Sequence, residues 1–182
     1  MPSSARARDR TRRAPGGGAP IEAPREAGPD VHVLTSNLVL PGIGVLPVNA
    51  LVLRAEEPVL VDSGLGVDSA ELVDAVASIV DLTAPRWVWL THDGADHTGR
   101  IARVLELAPQ ARLVTHGIGA LRLSTWARIP LERVHAIRPG DRLPAGDARC
   151  APYRHPSSTT RCRSASSTRA PGRSSAWTRS VR

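Results

Sequence analysis

Between Val31 and Asp147 short apolar, β-branched runs alternate with stretches of helical period. A chain ordered this way can layer helices on a sheet and is poorly suited to most other architectures. Val31–Thr35 alternates like a short strand. Leu46–Arg54 (LPVNALVLR) and Pro58–Asp62 (PVLVD) read as two more strands, joined by a turn at Glu56 and Glu57. After a tight loop at Ser63–Gly66, a helix is expected from about Asp68 to Val80. Asp68 and Glu71 can form a capping box there, and Leu72, Val73, Val76, Ile79 and Val80 make one apolar stripe. Trp87–Thr91 (WVWLT) reads as a buried strand. A second helix begins at Thr98 or Gly99, puts Ile101, Val104 and Leu105 on one face, and stops at Pro109. Arg112–Thr115 (RLVT), a helix over about Ile118 to Trp126 and a strand over Val134–Ile137 follow. The order β-β-β-α-β-α-β-α-β defines an α/β domain over residues 31–147.

The flanks differ in composition. Residues 1–30 are rich in Arg, Pro, Gly and Ala and show no apolar period, so they are expected to be disordered. Arg12-Arg13 is followed by no apolar stretch, which argues against a targeting signal and leaves a cytoplasmic location as the default. Residues 148–182 contain no Leu, Ile or Met, and eight Ser, four Thr and eight Arg dominate them; they too are expected to be disordered. So abrupt a change, inside a fold still lacking its closing elements, reads as a truncation or a shift of reading frame in a GC-rich gene. The absence of lysine fits the same coding bias.

Charge follows the same division. The net charge of +7 arises from +2 in residues 1–30, −3 in residues 31–147 and +8 in residues 148–182. A slightly acidic folded part argues against a nucleic-acid groove, leaving the tail alone as a weak candidate for such a partner. No stretch approaches the roughly 18 apolar residues of a membrane span. Cys150 and Cys162 match neither a disulfide framework nor a zinc clamp.

The chemistry-bearing segment is Thr91-His92-Asp93-Gly94-Ala95-Asp96-His97-Thr98-Gly99. It lies at the carboxyl end of a strand and before a helix, where open α/β sheets place their sites. Two imidazoles and a carboxylate within six residues suit zinc, iron or manganese. The other histidines, His32, His116, His135 and His155, read as surface, turn or strand residues.

This stretch resembles the metallo-β-lactamase superfamily signature His-x-His-x-Asp-His. The preceding VNALVLR, PVLVDSG, helix and WVWLTH segments fit as well, so the resemblance spans roughly residues 31–147. It implies a partial αββα sandwich with one or two metal ions, zinc or iron. In that pattern His92 serves the first ion, Asp96 and His97 the second, and Asp62 orients the ligands. The signature's second histidine falls on Gly94; the flavodiiron-like oxygen-binding relatives carry an acid there. The later ligands have no secure counterpart, since His155 lies in the aberrant tail and no acid follows Asp147. Metal is therefore expected to bind weakly. The function so implied is a metal-dependent hydrolase acting on a small molecule. Metal-activated water, held by Asp96 as catalytic residue, would attack an ester, thioester, amide or phosphodiester. The alternatives are a diiron oxygen-binding oxidoreductase and a catalytically dead remnant, in each case a possible homo-oligomer.

Overall fold

A computed structural model describes residues 21–66, 69–146, 148–152 and 160–164. Seven strands form one sheet in chain order: β1 (Arg25–Gly28), β2 (Val31–Leu40), β3 (Gly44–Leu53), β4 (Val59–Val61), β5 (Trp87–Trp89), β6 (Arg112–Thr115) and β7 (Val134–Ala136). The first four pair antiparallel and β4 to β7 pair parallel. The parallel strands are linked through α1 (Ser69–Ala77), then α2 (Ala95–Thr98) with α3 (Ile101–Leu107), then α4 (Gly117–Trp126). A second, antiparallel sheet holds β8 (Leu143–Ala145), β9 (Ala148–Pro152) and β10 (Thr160–Ser164).

The central strands β4, β5 and β6 are buried on both faces, which is why they read as unbroken apolar runs. One face carries Leu60, Val88 and Leu113, packed on Leu72 and Val76 of α1, Ile101, Val104 and Leu105 of α3 and Leu123 of α4. The other carries Val59, Val61, Trp89 and Val114, packed on Leu143 and Ala145 of β8. Helices, large sheet and small sheet are thus three successive layers of the expected α/β sandwich. No helix among the described residues is long and apolar enough to cross a membrane.

Three segments correct the expectation of disordered flanks. Arg25–Gly28 pairs with β2, and Ala148–Pro152 pairs with Thr160–Ser164. The physical reason is that strand pairing uses backbone groups. The exposed side chains of Arg25, Glu26 and Ala27 therefore need no apolar alternation to join a sheet edge. Asp68, His155 and, of the flanks, residues 1–20, 153–159 and 165–182 lie outside the described residues.

One long-range contact closes the helical layer. Arg133, in a 3-10 turn at Leu131–Arg133, donates from Nε to the Ala111 carbonyl (3.0 Å) and from Nη1 to that of Leu105 (2.9 Å). Its Nη2 reaches the carbonyls of Ala108 and Ala111, both at 2.7 Å. Helix α3 has no basic residue in its own last turn, so this guanidinium supplies the positive cap. Arg133→Met keeps the stem and removes the donors. It should lower stability by about 2–3 kcal/mol, given what charged hydrogen bonds typically contribute. Urea unfolding with an unchanged midpoint would contradict this.

Candidate metal centre

The site is built where β4 and β5 end. Asp62, one residue past β4, has φ +60°, a left-handed conformation that Asp tolerates better than most residues. Its backbone N–H still donates to the Trp89 carbonyl (2.8 Å), so the turn remains tied to β5. The buried carboxylate then accepts three short hydrogen bonds. Oδ1 takes the Thr91 N–H (2.8 Å). Oδ2 takes the Thr91 hydroxyl (2.7 Å) and Nδ1 of His97 (2.8 Å).

The next residues fasten the two halves of the site together. Ser63 donates its N–H (2.7 Å) and its hydroxyl (3.1 Å) to the His97 carbonyl. Gly99 donates its N–H to the Gly64 carbonyl (3.0 Å). Helix α2 is a single turn. The Gly94 carbonyl accepts from the N–H groups of His97 and Thr98, each at 3.0 Å, and from the Thr98 hydroxyl at 2.9 Å. That turn brings Asp96 and His97 back over His92, which sits before it.

His92, Asp96 and His97 each present one ligating atom, and these atoms lie within 4.8 Å of one another. Asp96 Oδ1 is 3.9 Å from His92 Nε2, and Asp96 Oδ2 is 3.4 Å from His97 Nε2. The two imidazole centroids are 4.2 Å apart. His92 and Asp96 are about one-third exposed and His97 is largely buried, so the cluster opens to solvent on one side. Burial of His97 opposes its protonation. The hydrogen bond that His97 donates to Asp62 and the charges of Asp62 and Asp96 outweigh that and hold its pKa above the ordinary histidine value.

The three side chains from the signature therefore meet at one point, whereas the resemblance divides them between two ions. Gly94 has a part in this. A β-carbon there would lie 2.6 Å from both His92 Nε2 and Asp96 Oδ1, so both side chains lean over the bare Cα. Asp93 turns away to an ion pair with Arg122 on α4, 3.0 Å apart but without the alignment of a hydrogen bond. His116 caps α4 by accepting the Gly119 N–H at its Nδ1 (2.9 Å). His135 packs edge-on against Trp87 and His32 lies on β2 opposite Val52, so neither belongs to the cluster. Thr91 did not stand out in the sequence because it reads as the last residue of a strand; its position beside the first histidine was the available signal.

Residues 43–160 match the family described as the Metallo-beta-lactamase superfamily. Among curated proteins, the flavo-diiron protein FprA2 of Clostridium acetobutylicum is 27% identical over 112 residues, covering 59% of this chain and 28% of the relative. The fold is similar to that of a flavo di-iron protein variant from Thermotoga maritima (TM-score 0.68, 19% identity, 77% of this chain and 39% of that one). It is likewise similar to rubredoxin oxygen:oxidoreductase from Desulfovibrio gigas (TM-score 0.66, 16% identity, 75% of this chain and 38% of that one). This chain thus spans well under half the length of these proteins.

Proposed function

The chain belongs to the metallo-beta-lactamase superfamily, and from that premise we propose that His92, Asp96 and His97 hold an iron ion in an oxygen-reactive oxidoreductase site. The observation that carries this reading is the donor set: two imidazole nitrogens and one carboxylate oxygen within 4.8 Å of one another. Two histidines and one carboxylate, with further positions left open, are a preferred set for non-haem ferrous iron. The set fits an ion on chemical grounds too, because His97 spends its Nδ1 on Asp62 and turns Nε2 toward Asp96. The names of the relatives, flavo-diiron protein and rubredoxin oxygen:oxidoreductase, point the same way.

When bound, ferrous iron supplies electrons to dioxygen. The chain's own residues bind and orient. His97 and His92 offer Nε2, Asp96 offers a carboxylate oxygen at the solvent side, and Asp62 fixes His97 from behind. Electrons come from a redox partner outside this chain, and a homo-oligomer is compatible with that arrangement. Hydrolysis would use the same side chains around zinc, but the relatives' names favour oxygen chemistry. With donors from one short segment, the bound ion should remain exchangeable by chelators.

Anaerobic loading with ferrous iron, followed by nitric oxide, tests the reading. The expected result is a high-spin ferrous–nitrosyl EPR signal in the parent that is lost in His97→Ala. No such signal, together with turnover of thioesters by the zinc-loaded protein, would restore the hydrolase reading.

A further inference from the structure

The hydrogen bonds around Asp62 extend to the second histidine. The Thr91 hydroxyl donates to Asp62 Oδ2 at 2.7 Å and also lies 3.2 Å from His92 Nδ1. A hydroxyl has one proton. An ionised carboxylate can only accept, so that proton is committed to Asp62 and the oxygen can meet His92 only as an acceptor. His92 must then carry its proton on Nδ1. The same logic applies to His97, whose Nδ1 faces Asp62 directly at 2.8 Å. Both rings are left with Nε2 unprotonated, and these are the two nitrogens that approach Asp96.

We propose that Thr91 is a positioning residue: its hydroxyl relays the orienting effect of Asp62 to His92, so one buried carboxylate sets the tautomer of both imidazoles. Histidine in water favours the opposite tautomer, with the proton on Nε2, which would turn a hydrogen rather than a lone pair into the cluster. His92 is about one-third exposed, so part of its ring faces solvent rather than protein. Thr91, partly buried and bonded to Asp62 through both its N–H and its hydroxyl, is a fixed point for it. Neighbours that orient a ligand typically change metal affinity by about 10- to 100-fold when removed.

The inference rests on the metal reading, and its test separates the two. Thr91→Val removes the hydroxyl at nearly constant volume, and Thr91→Ser retains it. Nitrogen NMR of the metal-free full chain, at a pH where both rings are neutral, reads each tautomer. Cobalt titration of the same samples reads affinity. In the parent and Thr91→Ser, His92 should be protonated at Nδ1. In Thr91→Val it should shift toward Nε2 protonation while His97 stays as it was, and cobalt should bind about tenfold more weakly. An unchanged His92 tautomer in Thr91→Val overturns the relay. A His92 tautomer that shifts in Thr91→Val, in a protein whose parent takes up no cobalt, upholds the relay and overturns the metal reading.

Discussion

Gly99→Ala should prevent the chain from holding the fold described above. An added β-carbon would lie 2.1 Å from the Gly66 nitrogen, 2.6 Å from its Cα and 2.7 Å from the Leu65 carbonyl carbon. Non-bonded carbon atoms sit comfortably at about 3.5–4.0 Å. All three obstacles are backbone, so no side chain can swing aside. Nor can the segments separate easily. The Gly99 N–H is bonded to the Gly64 carbonyl, the Ser63 N–H to the His97 carbonyl, and Leu65 is buried. Gly99 itself has helical dihedrals (φ −59°, ψ −23°) that alanine accepts, so the penalty is one of space alone. Overpacking of side chains costs about 1–3 kcal/mol, and a clash with fixed backbone should exceed that, a large part of a domain's typical 5–15 kcal/mol. Gly117→Ala is the control. It lies in α4 with nothing within 4 Å of the added carbon, and alanine there should be neutral or stabilising by up to about 1 kcal/mol. Urea unfolding reads both; equal midpoints for Gly99→Ala and the parent would refute the close approach of Gly66.

Much of the fold was legible because its central strands are buried on two faces. WVW and VLV announce themselves as apolar runs, and the spacing of Leu72 and Val76, or of Ile101, Val104 and Leu105, gives a helical stripe. Less legible was whatever depends on backbone pairing or on distant partners. β1 joins the sheet by its edge with exposed side chains, and α2 is too short to show a period. Arg133 caps α3 from 22 to 28 residues away. For the site, residue types and spacing picked out His92, Asp96, His97 and Asp62. Their meeting at one point could not be read, because it depends on one helical turn started by Gly94 and on the hydrogen bonds of Ser63 and Gly64 to the same segment. The Thr91 hydroxyl was invisible for a similar reason: its importance lies in two partners, one of them 29 residues earlier.

Asp62→Asn should weaken metal binding by about 10- to 100-fold. Asp62 accepts from three donors, and an amide replaces one accepting oxygen with an NH₂ group that can only donate. Whichever way the amide turns, N–H meets N–H or O–H. Turned toward His97, it drives that ring to offer its Nδ1 lone pair and carry its proton on Nε2, the atom needed for the ion. The central claim is that His92, Asp96 and His97 form one metal site. The direct measurement is an anaerobic competition titration of ferrous iron against a chelator, comparing the parent, Asp62→Asn and His97→Ala. The expected result is saturable binding of one ion per chain in the parent, a 10- to 100-fold weaker constant in Asp62→Asn and no specific binding in His97→Ala. Equal binding by the parent and His97→Ala, or no binding by either, would contradict it.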